Sequence, residues 1–238
     1  MREDRKYCVL VLFVAIPFPF AIFLGGVIGL RAIREWGISF SMKSLKNKYY
    51  AFRHGQSMAN VKGIIISDPA VGTVKYGLTE EGRLQAKRGA AALADELEAD
   101  ALIYASDFRR AAETAEIVRE MLGVEQIIFD ERLRERFFGE WEGEPHEYYS
   151  KAWKRDAHDS NHEFNGVEST NAVRSRMWAV IQSLEKQHAG RTIILVSHGD
   201  PLMLLETAFL EMDPKNHRTL PYFETAGWRA LNSCGEAI

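Results

Sequence analysis

Cysteine is nearly absent. Cys8 and Cys234 are the only two in 238 residues, too few for a disulfide framework or a zinc cluster. That scarcity fits a reducing compartment, and also a secreted protein that does without disulfides. A basic excess is missing as well: 30 Lys and Arg stand against 33 Asp and Glu, a formal net charge of -3. General nucleic-acid binding, which rests on a basic surface, is therefore not expected, although a local positive pocket is compatible with an acidic protein. The chain has no internal repeat and no low-complexity tract. With 46% hydrophobic and 26% charged residues, its composition suits an ordinary folded domain with a real core.

One stretch lacks charge altogether. From Cys8 to Leu30 the sequence is continuously apolar or small, about the length that spans a bilayer. The expected organisation is a flank over 1–7, a membrane anchor over 8–30, a basic juxtamembrane linker over 31–46 and a folded domain over 47–238. A cleaved signal peptide is the competing reading, but its apolar core is normally shorter, and no clear small-x-small cleavage site follows this one. Pro17 and Pro19 would kink a helix, which membrane helices tolerate. Lys and Arg are more numerous just after the segment (Arg31, Arg34, Lys43, Lys46 and Lys48) than before it (Arg2, Arg5 and Lys6), which directs the folded domain to the cytoplasmic side.

Within that domain, apolar strand-like runs alternate with helical patterns. The runs are Tyr49–Phe52, Ala101–Tyr104, Ile127–Phe129 and Ile193–Val196. Thr79 reads as a helix N-cap with Glu80 and Glu81 in the first turn, and Gly123 as a helix stop. Ala86, Ala90, Leu93 and Leu97 fall on one helical face, as do Val173, Met177, Val180 and Leu184 further on. The expected fold is α/β: a mostly parallel central sheet with helices on both faces.

Two triplets carry the chemistry, Arg53-His54-Gly55 and Ser197-His198-Gly199, each leaving an apolar run. Groups that leave such strands can meet at the carboxyl edge of the sheet. The first continues through Gln56, Ser57 and Asn60, side chains and backbone donors suited to an anion. Gly55 removes a side chain where backbone must approach the ligand, and Gly199 beside His198 is a further candidate phosphate-binding position. His54 is the candidate nucleophile; neighbouring arginines oppose its protonation and keep it neutral. Arg53 and Arg110 can give forked hydrogen bonds to phosphoryl oxygens, and His198 a further one where charge develops. Glu135 is the candidate proton donor to a leaving alkoxide and the later activator of water. His146, His158 and His162 show no regular ligand spacing and are read as solvated. No metal and no cofactor is expected.

These elements resemble the histidine phosphatase superfamily, of phosphoglycerate mutase-like fold. The resemblance covers residues 48–238 and rests on Arg53-His54-Gly55 with Ser57 and Asn60, and on Ser106-Asp107-Phe108-Arg109-Arg110-Ala111 with Thr114. Glu135 in Leu133-Arg134-Glu135-Arg136 and Ser197-His198-Gly199 complete it. It implies a phosphohistidine on His54, phosphate binding by Arg53, Arg110 and His198, and Glu135 as the acid. The stretch between Glu135 and His198 is shorter than in glycolytic mutases and is similar to the phosphatase branch, so phosphomonoester hydrolysis is expected. The rivals are mutase-type phosphoryl transfer from a bisphosphate primer and a non-catalytic, membrane-tethered phospho-ligand binding protein. The expected partner is a small phosphorylated metabolite or a phosphoprotein. Phe137, Phe138, Trp141, Tyr148, Tyr149 and Trp153 are expected to cap the pocket, but they carry no readable code for the substrate.

Overall fold

Strand β4 (Thr192–Ser197) is buried along its whole length, as a strand covered on both faces must be. Its side chains alternate. Ile193 and Leu195 join one apolar cluster, while Ile194 and Val196 join the other, which is the period of two of a pleated chain. The computed structural model describes residues 45–97 and 101–231.

In chain order the elements are β1 (Lys48–Arg53), α1 (Met58–Lys62), α2 (Pro69–Gly72), α3 (Glu80–Ala94), β2 (Ala101–Ala105) and α4 (Arg109–Leu122). Then come β3 (Ile127–Phe129), α5 (Tyr149–Asp156), α6 (Thr170–Gln187), β4, α7 (Gly199–Phe209) and β5 (Trp228–Leu231). The sheet order is β3-β2-β4-β1-β5. The pairs β2·β3, β2·β4 and β1·β4 are parallel, and β5 joins β1 antiparallel. The sheet is thus mixed: the four expected strands are parallel, and the unforeseen edge strand β5 runs against them.

Two layers of helix cover the sheet. On one face α3 and α4 pack Ala90, Leu93, Ala111, Ala115 and Val118 against Phe52 and Ile103. On the other, α6 and α7 pack Met177, Ile181, Leu204 and Phe209 against Tyr49 and Ile193. The caps expected from sequence are present. Thr79 Oγ1 accepts from Gly82 N–H at 2.9 Å, and Gly123 ends α4 at φ 66°, a left-handed cap that costs glycine little.

Residues 8–30, expected as a membrane segment, and 31–44 of the expected linker lie outside the described residues. Among the described residues no helix is long and apolar enough to cross a membrane. Leu45 packs against the core, and Lys46 N–H donates to Glu185 at 2.8 Å.

Candidate active site

Parallel pairing of β1 with β4 sets Arg53 opposite Ser197. The next residue of each strand is a histidine, so His54 and His198 leave the same sheet edge side by side, with ring centroids 5.1 Å apart. The neighbouring strand β2 delivers Ser106 and then α4, whose first turn carries Arg110. The adjacent arginines divide their tasks by helix face. Arg109 is exposed and pairs with Glu113 at 2.8 Å, whereas Arg110 is buried and turns inward.

The ring partners set the tautomers. His54 Nδ1 lies 2.7 Å from the Gly55 carbonyl, an acceptor only, so Nδ1 carries the proton. Nε2 then holds a lone pair and accepts from Arg110 Nε–H at 3.1 Å. Burial, reinforced by Arg110 and Arg53, holds the His54 pKa well below its usual value. For His198, Ser106 Oγ accepts from Phe108 N–H at 3.2 Å and lies 2.9 Å from Nε2. With Nε2 accepting from that hydroxyl, the proton sits on Nδ1. Burial first, and then Arg110, also keeps His198 neutral.

The arginines are anchored by backbone carbonyls. Arg53 Nη1 donates to Phe223 O at 2.7 Å, and Arg110 Nη2 to Ile66 O at 3.1 Å. These bonds leave Arg53 Nε, Arg110 Nη1 and His198 Nδ1 buried with no protein partner, an arrangement that native structures reserve for a reason. Glu135 Oε1 accepts from Arg136 N–H at 2.9 Å. Its Oε2 lies 3.4 Å from Arg110 Nη2 and 3.8 Å from His198 Nδ1. Burial raises the Glu135 pKa to about 7, against the opposing pull of Arg110.

A cavity of about 470 Å³ opens over these groups. Arg53, His54, Ser57, Asn60, Arg110, Glu135 and Gly199 all line it. His198 lies fully buried in the wall behind, edge-on to His54 and Phe108. Ser57 and Asn60 also form the capping box of α1: Asn60 Oδ1 accepts from Ser57 N–H at 2.9 Å, and Ser57 Oγ from Asn60 N–H at 3.3 Å. Gln56 is not brought to the cavity; its Oε1 accepts from the Thr79 hydroxyl at 2.8 Å. At Gly199 a Cβ would stand 3.6 Å from Arg53 Nε and 3.4 Å from the Tyr222 hydroxyl, so glycine keeps that wall open.

Of the expected aromatic cap, Phe138, Tyr149 and Trp153 line the cavity. Trp141 and Tyr148 belong to a small core beside it, and Phe137 borders a second cavity that also reaches Glu135. Sequence reasoning missed Asp200 and Tyr222 in the cavity wall; the signal for Asp200 was its place directly after His198-Gly199. Of the histidines read as solvated, His146 is exposed, at the cavity mouth, and His158 is exposed as well. His162 differs from that reading: its Nε2 is 2.7 Å from the buried Asp156, and its side chain is largely covered.

One donor atom each from His54, Glu135 and His198 lies within 4.8 Å of the others, close enough to hold a metal ion. The surroundings oppose one: the Arg110 guanidinium is 3.1 Å from His54 Nε2, and Arg53 lines the same wall. Two fixed cations, with the N-termini of α4 and α7 beside them, make a site for an anion.

Residues 49–236 match the histidine phosphatase superfamily, branch 1. Over 195 residues the chain is 31% identical to the glucosyl-3-phosphoglycerate phosphatase of Mycobacterium tuberculosis, covering 76% of this chain and 82% of that protein. It is 32% identical over 155 residues to phosphoglycerate mutase-like protein 4 of Arabidopsis thaliana, covering 62% of this chain and 64% of that protein. The solved structure of mycobacterial glucosyl-3-phosphoglycerate phosphatase superposes with a TM-score of 0.64 at 28% identity, over 77% of this chain and 88% of that one. The chain belongs to the histidine phosphatase superfamily, and it is a phosphatase of that family.

Proposed function

We propose that this domain hydrolyses phosphate monoesters through a phosphohistidine on His54, with no metal ion. His54 Nε2 attacks phosphorus and the ester P–O bond breaks. The leaving oxygen takes the proton from Glu135. Glu135, now a carboxylate, removes a proton from water as that water attacks phosphorus. The P–N bond then breaks, releasing inorganic phosphate and returning His54 neutral and Glu135 protonated. Arg53 Nε, Arg110 Nη1 and His198 Nδ1 donate to the phosphoryl oxygens, where charge spreads in the transition state.

The observation that carries this reading is the convergence, at one sheet edge, of three unpartnered buried donors with an imidazole lone pair. Hydrolysis rather than mutase transfer is supported by the rest of the cavity. Among the described residues no lysine or arginine other than Arg53 and Arg110 lines it, so a bisphosphate's second group finds no cation. The test is phosphate release from a panel of phosphomonoesters with chelator present, beside His54→Ala. Release by the parent that the variant lacks is expected; normal turnover by the variant on every substrate would sink the proposal.

The uncharged run from Cys8 to Leu30 supports a membrane anchor, with the catalytic domain on the cytoplasmic side. The full chain is then expected to stay with the membrane after alkaline extraction. Its release, or a mature N-terminus beyond Leu30, contradicts the anchor.

A further inference from the structure

The cavity has two ends of opposite character. Its inner end holds Arg53 and Arg110, both committed to the phosphoryl group. Beyond them the wall is largely apolar and aromatic, with Ile64, Ile66, Phe138, Tyr149, Trp153 and Tyr222. The charged side chains on that outer wall are the carboxylates of Asp200 and Glu147, with His146 at the mouth, 3.6 Å from Glu147.

Asp200 is held in place from behind. Its Oδ2 accepts from Trp153 Nε1–H at 2.9 Å, which also fixes the indole in the wall. Arg136 and Arg218 flank it at 3.6 and 3.5 Å, but neither lines the cavity. Arg136 is fully buried and engages both oxygens of Asp156 at 2.7 and 2.8 Å, and Arg218 lies over the Trp153 ring at 3.9 Å. Of this cluster, Asp200 is the charged side chain that lines the cavity; Arg136 is fully buried, and the partly exposed Arg218 rests against the Trp153 and Tyr222 rings.

A substrate whose alcohol carried a carboxylate or a second phosphate would have to bury that group against aromatic rings and facing carboxylates. Such burial without a paired donor is costly, and like charges in contact add to the cost. An uncharged alcohol with an apolar face meets complementary surface over most of the wall. Resting on the phosphatase reading above, we propose that the substrate is a phosphate monoester of an uncharged alcohol with an apolar or aromatic portion. Asp200 and Glu147 exclude alcohols that bear a second anionic group. The class is distinct from a glucosyl-3-phosphoglycerate, whose glycerate carries a carboxylate.

The purified full-length chain is assayed for phosphate release from glycerol 3-phosphate, 3-phosphoglycerate and benzyl phosphate. The first two share a three-carbon skeleton and a primary alkyl leaving group and differ by one carboxylate. Expected is a kcat/KM at least about tenfold lower for 3-phosphoglycerate than for glycerol 3-phosphate, and at least about tenfold higher for benzyl phosphate than for glycerol 3-phosphate. Asp200→Asn should narrow the charge discrimination by at least about threefold, and Glu147→Gln, at an exposed position that does not endanger folding, should narrow it in the same direction. Turnover of 3-phosphoglycerate equal to or above that of glycerol 3-phosphate overturns the inference while leaving the phosphatase reading intact. Discrimination that neither substitution changes overturns the role of the two carboxylates. Release from none of the three, nor from nitrophenyl phosphate, overturns the phosphatase reading and removes the premise.

Discussion

His54 and Glu135 sit in one cavity, yet their environments move them in opposite directions. Burial penalises the charged form of each: it favours the neutral imidazole, which is the nucleophilic form, and the neutral carboxyl, which is the proton-donating form. The arginines then reinforce the first shift and resist the second. With Glu135 at about 7, the acid is present below that pH and lost above it, so kcat/KM is expected to fall as pH rises through about 7. His54, held well below 6.5, adds no loss near neutrality. Glu135→Gln should abolish the descending limb and lower kcat on alkyl phosphates by about 10²-fold or more. On nitrophenyl phosphate, whose leaving group needs no proton, the loss should be much smaller. Equal losses on the two substrates, or an unchanged pH limb, would remove Glu135 from the role of acid.

At the scale of elements, the site depends on register. Parallel pairing of β1 with β4 brings the two histidines together, and the loop after β1 is pinned against the first turn of α3. A Cβ on Gly55 would collide with the Gly82 carbonyl, and a Cβ on Gly82 with the Gln56 carbonyl. Gly82→Ala is therefore expected to cost about 1–3 kcal/mol, as overpacking does, and to lower kcat by displacing His54. A denaturation midpoint and kcat both unchanged would show that the loop tolerates the shift.

This is also the scale at which the sequence is most legible. Arg53, His54 and His198 stand directly at the ends of apolar strand runs, and Arg110 stands in the first turn of the helix after another, so topology alone gathers them. Strand β5 is not legible: it has four residues, none fully buried except Leu231, and only its antiparallel partner defines it. Gln56 and Asn60 look alike in sequence, but capping geometry turns one to Thr79 and leaves the other in the cavity wall.

At the scale of the whole molecule, buried charge joins the cap to the core. Arg136 bridges Asp156 of α5 and Asp200 of α7, and His162 closes on Asp156. No periodicity in the sequence relates positions 136, 156 and 200, because their pairing exists only once the cap has folded over the sheet. The position of Asp200 directly after His198-Gly199 places it near the site, but its pairing with Arg136 is hidden from sequence for the same reason. Asp156→Ala strands a fully buried guanidinium and is expected to cost about 3–5 kcal/mol, read as a lower denaturant midpoint with an unchanged slope. A loss below about 1 kcal/mol would show that Glu168 O, which accepts from Arg136 Nε at 2.8 Å, suffices with Asp200 to hold it.

The central claim is a covalent phosphohistidine on His54, and rapid quenching during turnover tests it most directly. A single phosphoryl group, labile to acid and stable to alkali, is expected on the peptide carrying His54, and none in His54→Ala. Turnover without any such intermediate, or label on another residue, would contradict the account.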